Sequence, residues 1–75
     1  MEKTKSLSIN GEVARIQQTE EKTWFLICDD DMCLREVTYT EFKAFIISLS
    51  YVCLTSWNED LQKSYIEFVQ YFHKL

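Results

Sequence analysis

The first half of the chain alternates apolar and polar positions in the way that β-strands do. Leu7 and Ile9 sit between polar neighbours, and the pair Asn10 and Gly11 that follows is a strong hairpin signal. Both central residues of a type I′ turn need positive φ, which Asn and Gly tolerate. The pattern predicts an antiparallel hairpin. The alternative is one long strand with a bulge at Asn10 and Gly11.

Two further strands are predicted after this hairpin. In the second strand, Val13 and Arg15 point to one face while Ala14 and Ile16 point to the other. Residues 24–28 are apolar without interruption, which predicts a central strand covered on both faces. We therefore expect three or four antiparallel strands between about residues 5 and 37.

The second half of the chain has helical periodicity and two helix-start signals. Two pairs have the spacing of capping boxes, Thr38 with Glu41 and Ser56 with Glu59. In a capping box the hydroxyl of the first residue accepts a hydrogen bond from the backbone amide three residues later. The predicted helices cover about residues 39–54 and 57–74, with two residues between them. Such a short connection favours a tight helical hairpin against one sheet face.

Each predicted helix carries one apolar stripe at helical spacing. The first stripe is formed by Phe42, Phe45, Ile46, Leu49, Val52 and Cys53. The second is formed by Leu61, Tyr65, Phe68 and Phe72, widened by Ile66 and Val69. The predicted fold class is therefore α+β: a small N-terminal antiparallel sheet of three to four strands packs against a C-terminal pair of helices. We expect one compact domain over residues 1–75.

Charge and composition narrow the classes of partner. The net charge of −4 lacks the basic footprint of nucleic-acid binders, so nucleic acid is a disfavoured partner. Residues 1–10 lack the apolar run of a secretory signal, and the most apolar stretch, residues 44–54, is too short to span a membrane. Three cysteines without a signal indicate reduced thiols and hence a cytoplasmic protein. The acidity also disfavours an anionic membrane surface, so no membrane is expected as a partner.

The reactive side chains form no recognisable catalytic pattern. Cys28 and Cys33, together with Cys53 and His73, leave three readings: buried thiols, a redox-formed bridge between Cys28 and Cys33, or a zinc site. We take buried thiols, and expect neither metal nor cofactor. His73 fits the end of a helix, where a cation complements the dipole. With neither a glycine-rich phosphate loop nor a nucleophile elbow, the chain is predicted not to be an enzyme.

The chain has more large apolar side chains than a core of one sheet face and two helices accommodates. The surplus consists of Trp24, Ile47, Tyr51, Leu54, Trp57 and Tyr71. Such a surplus favours an interface, although every small domain leaves some rings half exposed. The prediction is a small acidic protein-binding module that masks a surface of a partner protein, as inhibitors, immunity-type proteins and phage or mobile-element accessory proteins do. The alternative is a dimeric nucleic-acid-binding regulator.

The predicted contact has aromatic anchors and acidic steering groups. Trp57, Tyr51 and Tyr71 are the anchors, because Trp and Tyr are enriched at binding hot spots. The steering groups are Asp29, Asp30, Asp31, Glu20 and Glu21. A solvated turn is the alternative for the three aspartates. The expected occupant is a basic protein or a second copy of this chain, as a homodimer.

Overall fold

Four strands followed by two helices make up the described part of the fold. The computed structural model describes residues 2–28 and 34–75. Its elements are β1 (Lys3–Ile9), β2 (Glu12–Gln18), β3 (Thr23–Cys28), β4 (Arg35–Val37), α1 (Tyr39–Thr55) and α2 (Glu59–His73). The predicted α+β class is confirmed, with the four-stranded form of the sheet.

The hairpin predicted at Asn10 and Gly11 is present. Ile9 pairs with Glu12, so these two residues form the whole connection between β1 and β2. Their φ angles are 50° and 83°, both in the left-handed region that a type I′ turn requires. The alternative of a single bulged strand is therefore excluded.

The strands lie in the order β1-β2-β3-β4, and every neighbouring pair is antiparallel. Because directly paired residues share a face, the register places Leu7, Ala14 and Ile27 on one side and Ser6, Arg15 and Leu26 on the other. The first side is the buried one. It carries Leu7, Ile9, Ala14, Ile16, Phe25, Ile27 and Val37 against the helices.

The prediction that residues 24–28 form a strand covered on both faces was half wrong. β3 is an inner strand of the sheet, but α1 and α2 both pack on the face that carries Ile27. On the opposite face, Trp24 and Leu26 remain partly exposed. A chain of this length forms only two layers here, so the apolar run does not indicate a second covering layer.

Helix α1 begins where the first capping box predicted. Thr38 is the N-cap, and its hydroxyl accepts from the backbone amide of Glu41 at 3.2 Å. The Thr38 hydroxyl in turn donates to Oε1 of the Glu41 carboxylate at 3.3 Å. Val37 and Phe42, on either side of the cap, are both buried in the core.

The second capping box was wrong. Helix α2 is capped by Asn58, whose side-chain oxygen accepts from the amide of Leu61 at 3.2 Å. Ser56 instead accepts from the amide of Asn58 at 3.1 Å. The connection between the helices is therefore residues 56–58, one residue longer than predicted, and it leaves Trp57 outside both helices.

The core is formed mainly by aromatic and aliphatic side chains at the interface between the helices and the sheet. The rings of Phe25, Phe42 and Phe72 have centroids within 6.0 Å of one another, and Phe42 and Phe68 are fully buried. Two residues placed in the predicted stripes are exposed instead, Val52 at 39% and Ile66 at 47%. Both lie at the margins of their stripes, where the angle between helix and sheet decides burial.

No helix in the described residues, 2–28 and 34–75, is both long and apolar enough to cross a membrane.

Candidate protein-binding surface

Helix α1 has a second apolar stripe on the side facing away from the core. The stripe is formed by Ala44, Ile47, Tyr51 and Leu54, and all four are exposed. We call these four residues the outer seam. At 100° per residue, Ile47 lies about 160° around the helix from the buried Leu49, so the two stripes are on nearly opposite sides.

The exposure of the outer seam is large for apolar side chains. Ile47 is 60% exposed, Tyr51 is 76% exposed and Leu54 is 52% exposed. A helix that is apolar on opposite sides is typical of one that is covered on both. In the described chain, the core covers only the side carrying Phe42, Ile46, Leu49 and Cys53.

Trp57 extends this surface at the connection between the helices. Its side chain is 100% exposed, the highest value among the exposed large hydrophobic residues. It lies in the segment between Thr55 and Glu59, because Asn58 takes the capping position. Trp57 therefore stands beyond the carboxyl end of α1, next to the end of the outer seam that carries Leu54.

A groove between the two helices borders the outer seam. It is lined by Ile46, Ile47, Tyr65, Val69 and Phe72, with Lys43 and His73 at one end. The Tyr65 hydroxyl donates to the backbone carbonyl of Ile46 at 3.1 Å, which joins the helices below the groove. The predicted role of His73 as a basic group in the last turn of α2 agrees with its position there.

The predicted steering pair Glu20 and Glu21 lies in the turn between β2 and β3. Both side chains are exposed, and the turn is closed by the Thr19 amide, which donates to the carbonyl of Lys22 at 2.9 Å. Tyr71 lies near this turn, since its hydroxyl donates to the side-chain oxygen of Gln18. Its ring packs against the core and is partly buried.

The structure thus separates the predicted anchors into two places. Tyr51 and Trp57 lie at the carboxyl end of α1, whereas Tyr71 lies near the carboxyl end of α2 beside β2. From Glu59 to Tyr71, α2 rises about 18 Å, and this length of helix separates Trp57 from Tyr71. Asp29, Asp30 and Asp31 lie outside the described residues, as does Cys33.

The prediction of aromatic anchors did not include the other outer-seam residues as site residues. Ile47 and Leu54 were recognised only as surplus apolar residues, and Ala44 was overlooked. The signal that identifies them together is their spacing of three, four and three residues, which is the a/d pattern of packed helices.

The Cys53 thiol is enclosed in the core. Cys53 is a free thiol, fully buried, and burial raises the pKa of that thiol above its ordinary value. A raised pKa reduces the thiolate fraction on which nucleophilic attack and metal binding depend. Within residues 2–28 and 34–75, His, Cys, Asp and Glu side chains form no group of three that could hold a metal ion.

The sheet face that points away from the helices has one unusual polar group. Arg15 lies at its centre, paired in register with Ser6 and Leu26. Its Nε atom is buried and has no hydrogen-bond partner among the described residues. Nearby, the ammonium group of Lys22 lies 5.3 Å from the centroid of the Trp24 ring and 3.9 Å from the Glu36 carboxylate.

No family model matches this chain, and no curated protein or solved structure shows significant similarity to it.

Proposed function

We propose that this chain is a small acidic protein-binding module that masks a surface of a partner protein. The observation that carries the proposal is the outer seam together with Trp57. The outer seam is exposed on the side of α1 opposite the core, and Trp57 is exposed beyond the carboxyl end of α1, so folding does not account for them. Inhibitors, immunity-type proteins and phage or mobile-element accessory proteins act by covering a surface in this way.

The anchors of the proposed contact are Tyr51 and Trp57, with Ile47 and Leu54 between and beside them. Large aromatic side chains supply affinity when they enter desolvated pockets on a partner. Tyr71 is left out of the contact, because its ring packs on the core and its hydroxyl is bonded to Gln18.

The charge of the chain supports a basic partner. The net charge is −4, and Glu59 and Asp60 are exposed in the first turn of α2, next to Trp57. Glu20 and Glu21 are exposed at a turn, as steering groups must be. Rim charges of this kind mainly raise the association rate and make it sensitive to salt. Asp29, Asp30 and Asp31 retain their proposed steering role.

The acidic first turn of α2 argues against the alternative that this chain is a nucleic-acid-binding regulator. A recognition helix offers basic or amide side chains near its amino end, whereas α2 offers Glu59 and Asp60.

A non-enzymatic role in the cytoplasm is part of the proposal. The cytoplasmic location is supported by the buried free thiol of Cys53, since reduced thiols are typical of that compartment.

The test uses Trp57 both as a probe and as a site of mutation. The chain is immobilised and proteins of its source cell are captured, and each captured protein is then purified and titrated against four variants. Trp57→Ala and Tyr51→Ala should each accelerate dissociation by tenfold or more. Leu34→Ala is the matched control, because Leu34 is an exposed apolar residue outside α1 and should leave dissociation unchanged. Glu20→Gln with Glu21→Gln should slow association at low salt and leave dissociation unchanged.

A fluorescence measurement confirms that the contact is direct. In the Trp24→Phe variant, Trp57 is the remaining tryptophan, and its emission should shift to shorter wavelength when a partner buries the ring. The proposal fails if every captured protein binds the Trp57→Ala and Tyr51→Ala variants as tightly as it binds the unmodified chain.

A further inference from the structure

The outer seam has the spacing of a surface that packs against another helix. Ala44, Ile47, Tyr51 and Leu54 are separated by three, four and three residues, as are the a and d positions of paired helices. A stripe of this width, two residues in every seven, is narrower than the stripe that packs on a sheet. Its occupant is therefore expected to present an α-helix.

The charges around the outer seam are arranged at opposite ends. Residues 44–55 contain no Asp, Glu, Lys or Arg, so the seam itself is uncharged. Lys43 precedes it and lines the groove together with His73. At the other end is Glu59, which lies on the side of α2 that also carries His73, since the two are fourteen residues apart. One end of the seam therefore presents the Lys43 ammonium group and the other the Glu59 carboxylate. The exposed Glu41 carboxylate lies about 160° around α1 from Lys43.

The charged ends of two copies are complementary when their α1 helices run antiparallel. In an antiparallel pair of α1 helices related by a two-fold axis near Tyr51, the Lys43 end of one copy faces the Glu59 end of the other, and the reverse contact forms at the same time. The uncharged seams then meet without like-charge repulsion, although each copy has a net charge of −4. A parallel pair would instead place each Lys43 beside its own equivalent.

We propose that in the absence of a partner the outer seam is covered by the outer seam of a second copy, in an antiparallel α1 pair. This inference rests on the proposed function, because it uses the same surface. It adds a way in which partner binding is regulated. Because Tyr51 lies at the axis, the dimer hides an anchor that the partner needs, so partner binding competes with self-association.

The size of the surface sets the expected strength of the dimer. The exposed parts of Ile47, Tyr51, Leu54 and Trp57 amount to roughly 500 Å² per copy, taking about 150–250 Å² for each aromatic side chain. The pair would bury about 1,000 Å², at the lower end of specific interfaces. We expect a dissociation constant on the order of 10–100 µM.

Sedimentation equilibrium of the purified chain between about 5 and 500 µM tests the proposal. The unmodified chain should pass from monomer to dimer over this range, and Tyr51→Asp should remain monomeric. Lys43→Glu and Glu59→Lys should each raise the dissociation constant at least fivefold at low salt. The double variant, Lys43→Glu with Glu59→Lys, restores opposite charges and should return the constant to within twofold of the unmodified value.

The control is Glu67→Lys, which makes the same charge change on α2. Glu67 is exposed, but it lies about 80° around the helix from Glu59, on the side away from α1. It should leave the dissociation constant within twofold. A chain that stays monomeric at 500 µM overturns the proposal, as does a double variant no tighter than the single ones. Neither result affects partner capture by Trp57 and Tyr51, so the two proposals can fail separately.

Discussion

Phe68 is the residue whose truncation should most clearly reveal the register of α2. Its side chain is fully buried, and its ring centroid lies 6.2 Å from that of Phe42 across the helix interface. Phe68→Ala removes the ring and leaves a cavity among residues already held by the sheet. Substitutions of this kind cost about 3–5 kcal/mol. A chain of 75 residues has a total free energy of unfolding of about 4–11 kcal/mol, so the loss would be at least about a quarter of it and, at the lower end of the range, all of it.

The matched control for this substitution is Ile66→Ala on the same helix. Ile66 is 47% exposed, so the alanine loses roughly half of the burial of a large side chain and leaves no closed cavity. Alanine also favours the helix slightly. We expect a loss of about 1 kcal/mol.

Urea denaturation followed by far-ultraviolet circular dichroism measures both effects. Dichroism is preferred to tryptophan fluorescence, because the exposed Trp57 would report little of the unfolding. With a slope of about 1 kcal/mol per molar urea, Phe68→Ala should lower the midpoint by about 3 M or more, and Ile66→Ala by about 1 M. All samples are compared at one concentration, since the proposed self-association would add stability. Equal losses for the two variants would refute the register of α2.

Four further changes test the local structure and the ionisable groups. Gly11→Ala should cost about 1–2 kcal/mol in urea unfolding, because the φ of Gly11 is 83°; an unchanged midpoint would contradict the type I′ turn. Asn58→Ala should cost about 1 kcal/mol through loss of the α2 cap, and a loss below about 0.3 kcal/mol would mean that Asn58 is not the cap. Arg15→Leu should raise the urea midpoint, because it removes a buried donor with no acceptor among the described residues, an arrangement that costs about 1–3 kcal/mol; a lower midpoint would show that the guanidinium is paired. Burial raises the pKa values of Cys53 and Tyr65, so the folded state holds these protons more tightly than the unfolded state does. This stability is complete below about pH 8.5, the ordinary thiol pKa, and should be lost as the pH rises through the folded-state values; urea midpoints that stay constant to pH 11 would disprove it.

Features controlled by local chemistry could be predicted from the sequence. A two-residue turn between twisted strands requires positive φ, which Asn and Gly adopt readily. The hairpin at Asn10 and Gly11 could therefore be predicted without tertiary information. Thr38 could be identified as a cap because Glu41 follows it at the spacing of a capping box and the apolar residues Val37 and Phe42 stand on either side. Because such signals are local, the order of the strands and helices could also be predicted.

Features decided by packing could not be predicted in this way. Ser56 and Asn58 are both good capping residues, and the choice between them depends on how far the chain must run before α2 returns over the sheet. The burial of Val52 and Ile66 depends on the width of the contact between helix and sheet. At the candidate site, the surplus of apolar residues was visible, but only the fold separates Tyr71 from Trp57.

The opposition of the two stripes on α1 has a consequence for how the protein can change over generations. Ile47, Tyr51 and Leu54 are each more than half exposed, so substitutions there are expected to alter the choice of the proposed partner at little cost in folding. Substitutions at Phe42 or Leu49 on the opposite side reduce stability whatever partner is bound. One helix thus carries two independently variable sets of positions, and partner preference can diversify while the scaffold is retained.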